Sequence, residues 1–279
     1  MELTGRIVLI TGATNGVGLE AALALAAGGA DVYIVGRDEG RTAKALEQVR
    51  AAAGRGQVGS FLCDFSSQAS IRRFADDVHA RLPRIDVLIN NAGGVADTRT
   101  VTVDGIEQTF AVNHLGYFLT TRLLLDLVEK GDRPRIVVVA SVGHRGGTLD
   151  LDDVGYERGG YSIMGAYARS KLANVLFTRA LARRLQGRVL VNALHPGAVA
   201  TNIWTGAPAW IQPVLAVAKW FMISPAQGAK TLTFLAVDPS IEGRTGGYYE
   251  SNREVRPAKL ALDDALGERL WQLSERLVG

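Results

Sequence analysis

The chain has 279 residues, 47% apolar and 21% charged, which is enough to bury a sizeable core and close to the upper size for one α/β domain. Its 31 basic and 28 acidic residues leave a formal charge of +3 and are spread along the sequence with no dense basic run, which argues against a nucleic-acid partner. A single cysteine, Cys63, excludes an internal disulfide and any paired-cysteine metal site, and fits a reducing, cytoplasmic setting.

The opening MELTGRIVLITG passes straight into a strand and a glycine turn, without the pattern of an export signal. Short β-branched, apolar runs then recur at 6–10, 32–35, 58–62, 87–89, 136–139 and 189–194, separated by amphipathic or alanine-rich helical stretches. The runs are apolar throughout instead of alternating, so they predict strands covered on both faces, as in a parallel sheet flanked by helices. The expected architecture is α/β: a single-domain, doubly wound Rossmann-type fold over residues 1–279, with about seven mostly parallel strands and helices on both faces.

The first strand ends in TGATNGVG, residues 11–18, and leads into a helix-forming run at 19–27. Gly12, Gly16 and Gly18 let the chain reverse tightly and approach a pyrophosphate, while Thr14, Asn15 and Val17 sit where a helix N-terminus offers free N–H groups. The same spacing fits a plain strand-to-helix turn, but its place after the first strand of a parallel sheet points to a dinucleotide. About twenty positions on, the second strand ends Val35, Gly36, Arg37, Asp38. Arg37 can pair bidentately with a 2′-phosphate and Gly36 adds no carboxylate to repel it, which favours NADP(H); Asp38 keeps NAD(H) open.

Ser141 follows the apolar run at 136–139, at the carboxyl edge of the sheet, where it could hydrogen-bond a substrate oxygen or simply cap a turn. Tyr167 and Lys171 stand at i and i+4 in a helical stretch and share one face. A phenol with an ordinary pKa near 10 needs help to exchange a proton at neutral pH, and an adjacent ammonium can supply it. His144 and His195 have no third ligand at recognisable spacing, so they read as hydrogen-bonded histidines, and no metal site is expected.

Between Thr201 and Ser224 lie Trp204, Trp210, Trp220, Phe221 and Met222. The segment 201–225 reads as a substrate lid favouring a bulky lipophilic or aromatic substrate, with subunit or membrane-surface contact as the alternative. Its most apolar part, 210–223, is interrupted by Gln212, Pro213 and Lys219 and falls short of the roughly 20 residues a transmembrane helix needs.

The ordered set TGATNGVG, CDFSS, NNAG, VNHLGYF, VVVAS, YARSK and HPGAVAT resembles the short-chain dehydrogenase/reductase family from the first strand to at least Thr201. KLANVLF, VGHRGGTLDLDDV and SPAQGAKT resemble its retinol dehydrogenase-like branch in particular. The resemblance implies that Asn113, Ser141, Tyr167 and Lys171 form a catalytic tetrad. It implies that Asp64 and Phe65 flank the adenine, that Asn91, Ala92 and Gly93 line the cofactor, and that Pro196, Gly197, Val199 and Thr201 close on the nicotinamide end. It further implies a tyrosine acid or base, a lysine that lowers its pKa and holds the nicotinamide ribose, and an asparagine supporting a proton relay. A homodimer or homotetramer packed through long helices beginning near Val101 and Ala166 is also implied. One departure is Asn15, where many NADP-using relatives carry a basic residue, so the 2′-phosphate would rely mainly on Arg37.

The leading expectation is an NADP(H)-dependent carbonyl reductase or alcohol dehydrogenase acting on a retinoid, steroid, polyketide or similar ketone, aldehyde or secondary alcohol. The alternatives are a cofactor-binding regulatory protein without turnover and a nucleotide-sugar epimerase, for which little chain remains after Thr201.

Overall fold

A computed structural model of the chain describes residues 3–197 and 223–279. Among these, eight strands form one sheet in the order β3-β2-β1-β4-β5-β6-β7-β8. Strands β1 (Ile7–Thr11), β2 (Asp31–Gly36), β3 (Val58–Leu62), β4 (Val87–Asn90), β5 (Arg135–Val139), β6 (Leu190–His195) and β7 (Tyr248–Glu250) run parallel. The two-residue β8 (Arg253–Glu254) is antiparallel to β7. The sequence expectation of about seven mostly parallel strands is thus met, with β8 added at the edge.

The strands are apolar throughout because each alternates between two covered faces. In β1, Ile7 and Leu9 enter one core layer while Val8 and Ile10 enter the other. The first layer packs under α3 (Gln68–Arg81), α5 (Gly116–Glu129), α6 (Ile163–Leu185) and α8 (Asp264–Val278). The second packs under α1 (Gly16–Ala27), α2 (Glu39–Ala52) and α7 (Pro225–Val237). Burying each large apolar side chain contributes about 1.5–3 kcal/mol, so a strand covered on both sides is held far more firmly than one facing water on one.

Local chemistry fixes where the helices start. Asp38 caps α2 by accepting from the Arg41 amide, Ser162 caps α6 by accepting from Gly165, and Ser224 with Gln227 forms a reciprocal capping box on α7 behind Pro225. The helix expected near Val101 begins later: Val101 forms an isolated bridge with Glu107, whose carboxylate caps α4 (Gln108–Phe110). A π-helical turn, Ala111–Leu115, then joins α4 to α5.

The sheet order reverses between β1 and β4, which opens a crevice at the carboxyl ends of the strands. The glycine turn after β1, the segments after β4 and β5, and the end of β6 all meet this edge.

Candidate active site

The glycine turn is shaped for close approach. Gly12 has φ +66°, and a Cβ there would lie 2.5 Å from the Ala92 Cα; Gly16 has φ +56°. A Cβ on Gly18 would strike the Asn91 amide. Asn91 supports the turn from behind, donating through Nδ2 to the carbonyls of Thr11 and Gly12, each at 2.9 Å. Thr11 Oγ1 in turn accepts from the Asn91 and Ala92 amides at 2.9 and 3.1 Å. No side chain caps α1: Asn15 is extended and makes no cap hydrogen bond, so the first-turn N–H groups near Gly16, Val17 and Gly18 remain available to an anion. These residues fit a dinucleotide pyrophosphate.

Beyond β2, a Cβ on Gly36 would strike the side chains of Thr14 and Thr42, so glycine is needed to close the turn against α2. Arg37 is exposed, whereas the Asp38 carboxylate is engaged by the Arg41 amide at 2.8 Å. Asp64 closes a local turn on the amide and hydroxyl of Ser66 at 3.0 and 2.7 Å. Phe65 is buried and packs edge-on against Phe74, and a Cβ added to Gly116 would lie 3.3 Å from its ring.

On the other side of the crevice, Ser141 sits just past β5, and its Oγ accepts from the Gly143 amide at 3.1 Å. Tyr167 faces it from the first turns of α6: a Cβ on Gly143 would lie 3.3 Å from the tyrosine ring and 3.4 Å from Ser141 Oγ. One turn on, Lys171 is 3% exposed and donates to the Val139 carbonyl at 2.9 Å. Its Nζ lies 5.8 Å from the Tyr167 ring centre, and a Cβ on Gly93 would approach it to 3.8 Å.

Burial pushes the Lys171 pKa down to about 7. Burial also raises the Tyr167 phenol above its ordinary value, opposed by a hydrogen bond with Ser141. The sequence argument expects the ammonium to draw the tyrosine down; here the downward pull comes from the Ser141 hydrogen bond and burial outweighs it, while Lys171 is directed to Val139.

Asn113 occupies the π-helical turn, fully buried. Its Oδ1 accepts from Gly94 N and its Nδ2 donates to Gly94 O, both at 2.9 Å, while Nδ2 also reaches Ser170 Oγ at 3.1 Å. Asn174 Nδ2 donates to the Asn113 carbonyl at 2.9 Å, and His114 links Asn174 Oδ1 at 3.3 Å to Ser274 Oγ at 2.9 Å. The sequence reading missed Thr11, Ser170 and Asn174. Asn174 stands seven residues beyond Tyr167, on the same face of α6, so helical spacing could have found it.

His144 is hydrogen-bonded as expected, through Nδ1 to the Ser141 carbonyl at 2.6 Å and through Nε2, which accepts from the Ala258 amide at 3.0 Å. His195 differs, since among the described residues its buried Nδ1 has no hydrogen-bond partner. Pro196 and Gly197, with φ +95°, follow β6 at the same edge. Val199, Thr201 and most of the expected lid at 201–225 lie outside the described residues. Among the described residues no helix is long and apolar enough to cross a membrane.

A family model for short chain dehydrogenase matches residues 6–212. Retinol dehydrogenase 14 of Mus musculus is 41% identical over 99% of this chain and 86% of its own length. A solved structure of an uncharacterized protein from Mycobacterium paratuberculosis superposes with a TM-score of 0.81 at 33% identity, covering 99% of this chain and 94% of that one. A Pseudomonas aeruginosa RhlG/NADP active-site complex superposes with a TM-score of 0.71 at 25% identity, covering 94% and 98%. Together with the crevice built from Gly12, Ser141, Tyr167 and Lys171, these likenesses place the chain in the short-chain dehydrogenase family, in its retinol dehydrogenase-like branch.

Proposed function

We propose that the protein is an NADP(H)-dependent carbonyl reductase and alcohol dehydrogenase acting on a lipophilic or aromatic ketone, aldehyde or secondary alcohol. The observation that carries this reading is the convergence of Ser141, Tyr167 and buried Lys171 on the crevice that the glycine turn faces. A bound nicotinamide would supply or accept the hydride. Ser141 holds the substrate oxygen and steadies negative charge as it develops. Tyr167 gives that oxygen its proton in reduction and takes it back in oxidation. Lys171, beside Gly93, stands where it can hold the nicotinamide ribose and share a proton with the site.

The preference for NADP(H) rests on exposed Arg37 next to an Asp38 carboxylate already tied to α2; the RhlG/NADP complex among the structural relatives is consistent with it. The lipophilic substrate class rests on the aromatic composition of 201–225 and on the similarity to retinol dehydrogenase 14. The reading extends to a cytoplasmic setting, with which the single cysteine, Cys63, is consistent, and to a homodimer or homotetramer.

The test is initial-rate oxidation of NADPH and of NADH against hydrophobic aldehydes and ketones. NADPH should support turnover, and Tyr167→Phe should lower kcat by about 10²–10⁴-fold while unfolding like the wild type. Arg37→Ala should weaken use of NADPH and leave use of NADH nearly unchanged. Cofactor binding without turnover on any carbonyl or alcohol would instead favour a regulatory role.

A further inference from the structure

Three side chains at the edge of β6 and β7 have no part in the steps above. The parallel register sets His195 opposite Glu250 and Ala193 opposite Tyr248. Because side chains alternate along a strand, His195, Tyr248 and Glu250 stand on one face of the sheet. That face borders the reaction centre: the Tyr248 ring lies 4.7 Å from the ring of His144, centre to centre, and His144 is bonded to the Ser141 carbonyl.

Among the described residues, each of the three carries a buried polar atom without a well-formed hydrogen bond: His195 Nδ1, Tyr248 Oη and Glu250 Oε1. Tyr248 is 2% exposed, so water does not solvate its hydroxyl. Glu250 has a long ion pair, 3.9 Å from Arg145 Nη2, and its carboxylate faces the Tyr248 hydroxyl closely enough to act on it, while Arg145 already donates to the Arg256 carbonyl. Buried polar groups are nearly always paired, and each orphan costs desolvation that a phenylalanine or leucine would not. Three polar groups gathered beside a reaction centre without a well-formed hydrogen bond at these atoms therefore call for a ligand group that pairs with them.

We infer that His195, Tyr248 and Glu250 form a polar subsite for a hydroxyl group borne by the carbonyl substrate at a distance from the carbon that is reduced. The inference rests on the carbonyl-reductase reading above. Burial favours neutral forms of the imidazole and the phenol. The trio then presents a phenolic O–H donor, a carboxylate acceptor and one imidazole nitrogen, which suits a hydroxyl that both donates and accepts. The substrate is in this view amphiphilic, lipophilic along its length with one polar group set apart from the carbonyl.

The test uses straight-chain methyl ketones of increasing length, each with and without a terminal hydroxyl. Reduction is followed with NADPH, and binding is followed separately by calorimetry on the protein saturated with NADP+. At one chain length the hydroxy ketone should be preferred on the order of tenfold in kcat/KM and in Kd. That preference should fall to about one in Tyr248→Phe and in Glu250→Gln. Tyr248→Phe removes a hydroxyl that meets Glu250 without a well-formed hydrogen bond, so its Tm should stay nearly level, which separates lost preference from lost folding. Equal binding of both ketones at every length, absence of binding by either, or a preference that survives both substitutions overturns the subsite. Preferential binding without reduction keeps the subsite and overturns the carbonyl-reductase reading, whereas reduction without preference does the reverse.

Discussion

Lys171 is a cation kept in a place that disfavours its charge. With its folded pKa near 7 and an ordinary value of 10.5, the unfolded chain holds a proton that the folded one releases, so unfolding takes up a proton between these limits. Stability therefore rises with pH through that window, by up to about 1.4 kcal/mol per unit. Urea midpoints at pH 7, 8 and 9 should climb in the wild type and climb less in Lys171→Met. Cys63, with its thiol pushed up to about 12, opposes the rise at the upper end in both proteins, so the difference between them isolates the lysine. At this scale the sequence was informative where spacing alone places side chains: Tyr167 and Lys171 share a face because they are four residues apart. It was uninformative about direction, since nothing in YARSK says that the lysine donates to Val139.

The glycine turn shows what a whole element demands of a residue. Gly12→Ala would combine a left-handed φ of +66° with a contact on the Ala92 backbone, neither of which a side chain relieves. We expect a stability loss of about 1–3 kcal/mol, read by chemical denaturation, and a larger loss of NADPH affinity, read by fluorescence titration. Elements were legible in proportion to their length and pattern. The six apolar runs fall within a residue or two of β1 to β6 because both faces of the sheet demand the same residue types. The three-residue β7 and two-residue β8 carry no period to detect, and the bridge at Val101 and Glu107 resembled a helix start only by analogy with relatives. The π-helical turn was only partly legible: an asparagine in VNHLG can cap or kink a helix, but nothing in the sequence sets Asn113 against Gly94 and Asn174, which it meets in Ala111–Leu115.

Across the whole molecule, the doubly wound architecture followed from the order of apolar runs, whereas the buried links between distant helices did not. His114 is the clearest of these: fully buried, held near a pKa of about 4 by burial, and bonded to both Asn174 and Ser274. Its folded pKa lies below the ordinary 6.5, so the unfolded chain takes up a proton first as pH falls. Stability should drop between about pH 6.5 and 4, by up to about 1.4 kcal/mol per unit. Denaturation at pH 6.5 and 5 should show a shallower drop in His114→Asn, even if that variant starts less stable. The bond between His114 and Ser274 also joins residues 160 positions apart. A ribosome releases the first five strands and the Asn113 turn well before it releases α8, so this far clamp on the asparagine turn closes late in synthesis. A growing chain can thus hold its glycine turn and Tyr167 while the buried link behind Asn113 is still open, and the geometry of the site is completed last at its back.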